Sequence, residues 1–206
     1  MKTHKDYKKK LPLMETFYSI QGEGTNTGKA AYFVRLAGCD VGCVWCDVKD
    51  SWDVSKHPLV SIETIVKGAL KHPSRSVVIT GGEPLQHDID DLCEAFLVND
   101  FEIWLETSGA YPLHGAFDWI CFSPKKFKKP LDEIYDYANE LKVVVFNKSD
   151  LKWAEEQAAK VNEDCMLYLQ PEWDKRDEVL PMIIDYVKQH PEWNISLQTH
   201  KYINVP

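Results

Sequence analysis

The sequence predicts an α/β fold, either an open sheet or a partial β/α barrel, with about six parallel strands covered by helices. Three observations lead to this fold class. Apolar segments of strand length alternate with amphipathic segments of helix length from about residue 60 onward. The strand-like segments are continuous apolar runs, as in sheets that are buried on both faces. The number of repeats falls short of the eight units of a complete barrel.

Each element follows from its own pattern. The predicted strands are short apolar runs that cover 77–80, 101–106, 119–123, 141–146, 166–169 and 195–198. The predicted helices carry apolar residues three or four positions apart, and they lie near Ser61, Ile89, Leu131, Asp150 and Val179. The regular alternation of strand and helix indicates crossover connections, and hence parallel strands.

Composition and charge narrow the class of protein. With 206 residues, 44% apolar and 27% charged, the chain has the composition of a single domain that spans 1–206. The net charge of -8 argues against non-specific binding to nucleic acid, and the lysine runs at 8–10 and 125–129 are interpreted as solvated surface. No apolar stretch approaches the roughly twenty residues that span a bilayer, and lysines rather than an apolar run follow Met1. We therefore expect a cytoplasmic protein without a membrane partner.

Three cysteines, Cys39, Cys43 and Cys46, form a C-x3-C-x2-C run. A closed cluster of four irons takes four thiolates, so three close cysteines without a fourth indicate a 4Fe-4S cluster with one iron open to a small ligand. Zinc and a reactive thiol cluster are the alternatives, and zinc is disfavoured because no second Cys or His pair completes a knuckle. We expect a cluster-binding loop at about 37–50. The cysteines that stand singly are interpreted as buried thiols: Cys93, Cys121 and Cys165.

Polar residues directly follow four of the predicted strands. They lie at 80–83, 106–109, 123–125 and 170–171. The carboxyl ends of parallel strands meet at one edge of a sheet, where ligands gather. Structural turns need only Gly, Asn, Asp and Pro, so the additional Glu, Ser, Lys and Gln residues predict a small-molecule site at this edge.

These motifs resemble the radical S-adenosylmethionine (SAM) superfamily. The resemblance is carried by the cysteine run, with Trp45 before its last cysteine, and by the Gly-Gly-Glu-Pro sequence at 81–84. A narrower resemblance, to the 7-carboxy-7-deazaguanine synthase family, is carried in order by 19–24, 33–36, 46–47, 80–84, 106–109, 123–125 and 198–202, across about nine-tenths of the chain. It implies the partial β/α barrel of the radical SAM type.

The narrower resemblance implies a lyase that converts 6-carboxy-5,6,7,8-tetrahydropterin to 7-carboxy-7-deazaguanine with loss of ammonia, on the route to queuosine. It implies a 4Fe-4S cluster on the three cysteines and SAM on the open iron. It also implies an electron donor such as flavodoxin or ferredoxin, and a homodimer. The residues that the resemblance assigns to SAM are Gly81, Gly82, Glu83, Glu106, Ser123, Pro124, Lys125 and Gln170.

The resemblance also implies a pterin site and a magnesium ion. The substrate residues would be Ile20, Gln21, Gly22, Arg35, Thr80 and the C-terminal Pro206. Arg35 offers a planar guanidinium for the substrate carboxylate. Where the family usually has a hydroxyl ligand to Mg2+ directly after the Cys-Asp pair, this chain has Val48. We therefore expect a weakened or altered Mg2+ dependence, with substrate, water, Asp50 or Ser51 as the remaining oxygen ligands.

Two other functions are compatible with the cysteine run. A radical SAM activase of a glycyl-radical partner would need an open groove for a peptide, whereas 19–24 and 198–202 resemble parts of a small-molecule pocket. A non-catalytic iron-sulfur or zinc redox sensor would use 81–84 only as a turn. Metal content and SAM cleavage separate these functions.

Overall fold

The computed structural model describes residues 7–206. The first six residues lie outside the described residues. They include the lysines after Met1 that were compared above with the apolar run of a signal peptide. The strands are β1 (Lys10–Ile20), β2 (Ala30–Leu36), β3 (Leu59–Ser61), β4 (Ser76–Gly81), β5 (Glu102–Thr107), β6 (Trp119–Phe122), β7 (Glu140–Val145), β8 (Met166–Pro171) and β9 (Trp193–Ile195). They form one sheet in the order β3-β1-β2-β4-β5-β6-β7-β8-β9.

The sheet is parallel over most of its width. Parallel pairing runs from β2 through β4, β5, β6, β7 and β8 to β9, whereas β1 pairs antiparallel with β2 and with β3. Because β3 and β9 are the two ends of the strand order, the sheet does not close. The predicted partial barrel is confirmed, and its parallel part consists of the six predicted strands and the strand that precedes Cys39.

Sequence reasoning missed β1 and β3. β1 contains Pro12 and alternates irregularly between buried and partly buried residues, so it shows neither a continuous apolar run nor strict alternation. β3 is only three residues long. Both strands are defined by pairing with distant segments, as Lys10 does with Ser61, and not by local preference.

The helices in the described residues are α1 (Ile62–Ala69), α2 (Asp90–Leu97), α3 (Ile134–Tyr137), α4 (Ser149–Ala158), α5 (Arg176–Gln189) and α6 (Thr199–Ile203). The Ser61 hydroxyl caps α1 by accepting a hydrogen bond from Thr64 N. The predicted final strand at 195–198 is corrected, because β9 ends at Ile195. Ser196 donates its hydroxyl hydrogen to Gln170, and three residues later the chain enters α6.

Two hydrophobic clusters lie on the two faces of the sheet. The larger one packs the helices against the outer face. The smaller one lies on the inner face and consists of Ala31, Phe33, Val78 and Trp104, with Phe17 and Trp119 against it. Two positions further along the same strands are Arg35, Thr80 and Glu106, which share this inner face because side chains alternate along a strand. The aromatic cluster therefore forms the base beneath a polar layer.

Two smaller expectations can also be compared with the structure. The single cysteines Cys93, Cys121 and Cys165 are buried and form no disulfide, as predicted. No helix within 7–206 is both long enough and apolar enough to cross a membrane.

Candidate active site

A cavity of about 290 Å3 opens where the parallel strands end. The cysteine loop, the strand ends and the C-terminal segment all contribute to its wall. It brings together nearly all of the predicted site residues: Ile20, Gln21, Gly22, Arg35, Cys39, Cys43, Cys46, Val48, Thr80, Gly81, Gly82, Glu83, Glu106, Ser123, Lys125, Gln170 and Pro206. Pro124 is the exception, because it is buried but does not line the cavity.

The cysteine loop is anchored by backbone hydrogen bonds. Gly38 N donates to Ser51 O at 2.6 Å, and Cys39 N donates to Trp52 O at 3.4 Å. Gly38 has a φ of 109°, which glycine adopts without steric cost. From the other side, Glu83 N donates to Gly38 O at 2.8 Å. The loop is therefore joined both to the segment that follows it and to the end of β4.

The sulfur atoms of the three cysteines are spread more widely than the ligands of a single zinc ion. Among the described residues, their sulfur atoms do not form a group within 4.8 Å of one another. Tetrahedral zinc, with Zn–S bonds of about 2.3 Å, would hold sulfurs about 3.8 Å apart. Burial raises the pKa of the Cys43 thiol to about 11, and it also raises the pKa of Cys39. Positively charged iron would therefore be needed to hold these groups as thiolates.

Gly81 and Gly82 allow the strand end to pack closely on β2 and the cysteine loop. A Cβ atom on Gly81 would lie 2.2 Å from Leu36 O, and one on Gly82 would lie 2.2 Å from Gly38 O. Both glycines also line the cavity. Because these two residues have no side chain, the cysteine loop can pack directly on their backbone. A ligand in the cavity can also approach that backbone closely.

The Glu83 carboxylate connects two neighbouring strand ends. It is buried and accepts hydrogen bonds from Thr107 Oγ1 at 2.7 Å, from Ser108 N at 2.8 Å and from Leu85 N at 3.2 Å. The sequence predicts a SAM contact for Glu83, and the structure adds this structural role. Side-chain contacts with residues about 25 positions away are not visible in the local pattern.

Lys125 and Gln170 lie at two further strand ends. Lys125 Nζ donates to Ser123 Oγ and to Ser123 O, both at 2.6 Å, and lies 5.7 Å from the centre of the Trp45 ring in the cysteine loop. Burial lowers the pKa of Lys125. Gln170 Oε1 accepts a hydrogen bond from Ser196 Oγ at 2.8 Å. Both side chains are held in place by neighbouring residues and face the cavity.

Lys142 is at the centre of a polar network that sequence reasoning missed. Its side chain is 3% exposed, and its Nζ donates to Glu23 Oε2 at 2.7 Å and to Glu106 Oε2 at 2.9 Å. Glu106 Oε1 accepts from Gln21 Nε2 at 3.1 Å, and Glu23 Oε1 accepts from Gln198 Nε2 at 2.9 Å. The available signal was a lysine inside the apolar β7 segment, since lysine is almost never fully buried unless it is paired.

The network gives its two carboxyl groups different proton affinities. Burial is the largest single effect on Glu23 and raises its pKa, but Lys142, the hydrogen bond from Gln198 and nearby His200 together outweigh burial, and the pKa falls to about 2. At Glu106 burial is the largest effect, Lys142 only partly opposes it, and Glu23 and Glu140 add to it, so the pKa is raised. The cavity floor therefore carries one fixed carboxylate and one carboxyl group that takes up a proton more readily.

The C-terminal segment forms one side of the cavity. Thr199 donates to Gly22 O through its N and its Oγ1, both at 2.9 Å. A Cβ atom on Gly22 would lie 2.2 Å from His200 Nδ1, so α6 packs directly on this glycine. Pro206 O accepts a hydrogen bond from Ser19 Oγ at 2.8 Å. This bond places Pro206 on the cavity wall.

Arg35 is held in position by a hydrogen bond from its Nε, while the two terminal nitrogens of its guanidinium make none among the described residues. Its Nε donates to Glu15 Oε1 at 2.8 Å, and the group lies 5.8 Å from the centre of the Phe17 ring. Within 7–206 the two terminal nitrogens make no hydrogen bond. They therefore remain available for bidentate binding of a carboxylate in the cavity.

The residues around Val48 offer few oxygen ligands for Mg2+. Val48 lines the cavity without an oxygen atom in its side chain, and neither Asp50 nor Ser51 lines the cavity. Ser51 is fully buried and its hydroxyl donates to Val48 O at 2.7 Å, so the expectation that Asp50 or Ser51 replaces the hydroxyl is not supported. Asp47 lines the cavity, but its carboxylate accepts a hydrogen bond from Lys201 Nζ at 3.0 Å. At this site Mg2+ would lack the side-chain hydroxyl of the family pattern and would depend on substrate, water and Asp47 for oxygen ligands.

Comparison with known proteins identifies the family. The radical SAM superfamily profile matches residues 34–120. A 7-carboxy-7-deazaguanine synthase from Flavobacterium psychrophilum is 55% identical over 196 residues, which cover 95% of this chain and 93% of that protein. The chain belongs to the 7-carboxy-7-deazaguanine synthase family. The family member from Synechocystis is 47% identical, with 94% of this chain and 93% of that protein covered.

A solved structure agrees with the membership in the 7-carboxy-7-deazaguanine synthase family. The crystal structure of QueE from Escherichia coli is similar with a TM-score of 0.81 at 30% identity, and the match covers 91% of this chain and 93% of that chain. The predicted family is confirmed. As a radical SAM enzyme, this family member uses a 4Fe-4S cluster and SAM, and the three cysteines at the cavity have the right number and arrangement to hold such a cluster.

Proposed function

We propose that the protein is a radical SAM lyase that converts 6-carboxy-5,6,7,8-tetrahydropterin to 7-carboxy-7-deazaguanine, with loss of ammonia, in the biosynthesis of queuosine and related 7-deazapurines. The observation that carries the proposal is that a single cavity is lined by the three cysteines, by the polar strand ends and by Arg35. Relatives that are 55% and 47% identical are named for the same product.

When bound, the cluster and SAM supply a carbon radical that removes one hydrogen atom from the substrate. Cys39, Cys43 and Cys46 hold the cluster. The SAM side of the cavity is formed by Gly81, Gly82, Glu83, Glu106, Ser123, Lys125 and Gln170, with the buried Pro124 shaping the loop between Ser123 and Lys125. The chain contributes by positioning two molecules against each other and by excluding water.

The substrate side is formed by the other wall of the cavity. The free nitrogens of Arg35 bind the substrate carboxylate in bidentate fashion. Gln21 and Gly22 lie against the flat ring beside Ile20, Thr80 adds a hydroxyl, and Pro206, held by Ser19, closes this side of the cavity. Because Val48 offers no oxygen ligand for Mg2+, the dependence of turnover on this ion is weakened.

The partners and the setting belong to the same proposal. Val44 stands between two cluster cysteines and is 67% exposed, so an electron donor such as flavodoxin or ferredoxin approaches the outer side of the cysteine loop. The substrate is a small-molecule pterin, and the protein works as a homodimer.

One continuous sheet from β3 to β9 supports a single radical SAM domain over 1–206. Free thiols favour a reducing compartment such as the cytoplasm.

The test is anaerobic reconstitution with iron and sulfide, followed by SAM, a reductant and the carboxypterin, with mass spectrometry of the products. We expect 7-carboxy-7-deazaguanine and ammonia. Radical formation without this product would refute the substrate assignment and leave the glycyl-radical activase as the alternative. A fully loaded cluster that yields no 5'-deoxyadenosine, even with the pterin present, would favour the redox sensor.

A further inference from the structure

A second, smaller cavity lies behind the floor of the active-site cavity. Its volume is about 10 Å3, close to the roughly 10–15 Å3 that one water molecule needs. Gln21, Glu23 and Glu106 line both cavities. Glu106 therefore stands between the place where a ligand binds and a space of about the volume of one water molecule.

The small cavity exists because a short side chain stands between two glutamates. Glu106 on β5, Cys121 on β6 and Glu140 on β7 are register partners across three parallel strands, so they point to the same face. The two outer strands are about 9.5 Å apart, twice the strand spacing. The thiol of Cys121 does not fill the gap between the two carboxyl groups, and all three side chains line the cavity.

Trp104 provides an independent sign that a water molecule occupies this space. Its side chain is buried and lines the cavity, yet its Nε1 finds no hydrogen-bond partner among the described residues. Trp119 lines the same cavity and donates its Nε1 to Glu140 Oε2 at 3.1 Å. A water molecule would accept the hydrogen of Trp104 Nε1 and donate its own two hydrogens to Glu106 and Glu140.

The charges around the two cavities favour a shared proton. Three acidic side chains, Glu23, Glu106 and Glu140, lie around the buried cation Lys142, which bonds to the first two. Glu140 is buried, whereas the side chains of Glu23 and Glu106 are 19% and 21% exposed, and the Lys125 ammonium also acts on Glu106. Glu140 accepts hydrogen bonds from Thr25 N at 2.9 Å and from Trp119, but it has no ion pair within the described part of the chain. Burial and its acidic neighbours raise the pKa of Glu106 despite Lys142, and the buried thiol of Cys121 stays neutral because burial raises its pKa well above the usual value. A proton on Glu106 relieves the excess negative charge.

We propose that Glu106, linked to Glu140 through one water molecule in the small cavity, holds a proton that it delivers to the amine that leaves the substrate as ammonia. This role rests on the proposed function and adds a general acid to it. The carbon–nitrogen bond breaks with its electron pair on nitrogen, and nitrogen takes the proton from Glu106. The cationic substrate then returns one proton to the Glu106 carboxylate. The net change is loss of ammonia, and no oxidant or reductant is needed.

The first test is Glu106→Gln in the reconstituted full chain, assayed in a single turnover with SAM, a reductant and the carboxypterin. We expect ammonia release to slow by about 100-fold or more, as is typical when a general acid is removed. Hydrogen abstraction, which Glu106 affects only through its place on the SAM side of the cavity, should slow by much less. In the wild type, ammonia release should fall as pH rises, because the protonated form of Glu106 is the active one. Equal loss of hydrogen abstraction and ammonia release would overturn the proposal, because Glu106 would then serve only in binding.

The second test addresses the water molecule through Cys121→Val, which fills the small cavity without altering a group that contacts the substrate. Cys93→Val makes the same change in the outer core and is the matched control. We expect Cys121→Val to release ammonia about tenfold more slowly than Cys93→Val, and its crystal structure to lack a water molecule that the wild type shows beside Trp104 Nε1. Equal rates in the two variants, or a wild-type crystal structure without that water, would overturn the relay. A wild type that forms no deazaguanine at all would count against the proposed function instead.

Discussion

Lys201 Nζ donates a hydrogen bond of 3.0 Å to Asp47 Oδ2, so helix α6 is tied to the residue that follows the last cluster cysteine. Both side chains line the active-site cavity, and Lys201 Nζ lies 4.9 Å from the centre of the Trp173 ring. The Asp47 side chain is 57% exposed, so the pair adds little to stability. Its effect is to hold the cysteine loop and the C-terminal segment against each other along one wall of the cavity.

Lys201→Met should therefore weaken substrate binding more than it weakens the fold. We expect the KM for the pterin to rise several-fold, with the free energy of unfolding changed by less than about 1 kcal/mol. Steady-state kinetics and urea unfolding measure the two quantities. Lys188→Met removes an exposed lysine from another surface pair and serves as the control. An unchanged KM would show that the contact does not shape the site.

Lys142→Met should destabilise the protein strongly. It leaves the carboxyl groups of Glu23 and Glu106 buried without their cation, and breaking a buried pair in this way typically costs about 3–5 kcal/mol. Urea unfolding of the protein without substrate measures the change. The same substitution at the exposed Lys188 should cost less than about 0.5 kcal/mol. Equal stabilities of the two variants would contradict the central place of Lys142 in the network.

Acid should remove the stabilisation that Glu23 contributes. Its pKa is lowered to about 2 from an ordinary value of 4.5, so the contribution is complete above the ordinary value and is lost as pH falls through the folded-state value. Unfolding free energies measured from neutral pH to about pH 3 should therefore fall less steeply for Glu23→Gln than for the wild type. Parallel curves for the two proteins would show that Glu23 has no lowered pKa.

Gly82→Ala should disrupt the cysteine loop. The added Cβ would lie 2.2 Å from Gly38 O and 2.8 Å from Cys39 Cβ, so the backbone that carries the first cluster ligand has to move. We expect a large loss of iron and sulfide bound after reconstitution, measured by metal analysis and visible absorption. Gly28→Ala strains a backbone with a φ of 88°, but nothing lies within 4 Å of the added atom and the residue is outside the cysteine loop, so this variant should bind iron normally. Full iron binding by Gly82→Ala would contradict the packing argument.

Magnesium should have little effect on the wild-type enzyme. The Val48 side chain has no oxygen atom, and the nearby Ser51 hydroxyl donates to Val48 O instead of facing the cavity. Turnover with and without a magnesium chelator should agree within about twofold, whereas Val48→Thr should gain a measurable response to added Mg2+. Binding of the pterin with Mg2+ present and absent, measured without reductant, checks the same point apart from turnover. A steep loss of wild-type activity on chelation would refute the prediction.

Local sequence is sufficient to predict the parallel strands and most of the cavity wall. Runs such as 77–80 and 141–146 are apolar over strand length, and the polar residues that follow them must meet at one edge once the strands are parallel. For this reason the pattern of neighbouring residues is enough to predict Gly81, Lys125 and Gln170 as site residues, and all three line the cavity. The same pattern includes Pro124 with its neighbours, but the buried side chain of Pro124 does not reach the cavity.

The contacts that determine the chemistry of the cavity floor could be identified only from the tertiary structure. Lys142 meets Glu23 across 119 positions of sequence and Glu106 across 36, and Ser19 meets Pro206 across 187. No local pattern encodes such pairs. The antiparallel strands β1 and β3 were missed for the same reason, since each is defined by the partner with which it pairs.

The amino-acid sequence by itself determined the fold class, the three cysteines and the set of polar strand ends, because each depends on the order and periodicity of neighbouring residues. Only the tertiary structure showed which carboxyl group is paired with Lys142, which thiol leaves a space beside Glu106 and which indole N–H lacks a partner among the described residues. Burial and electrostatics act through space, so they are settled only when distant segments are brought to within a few ångströms of each other.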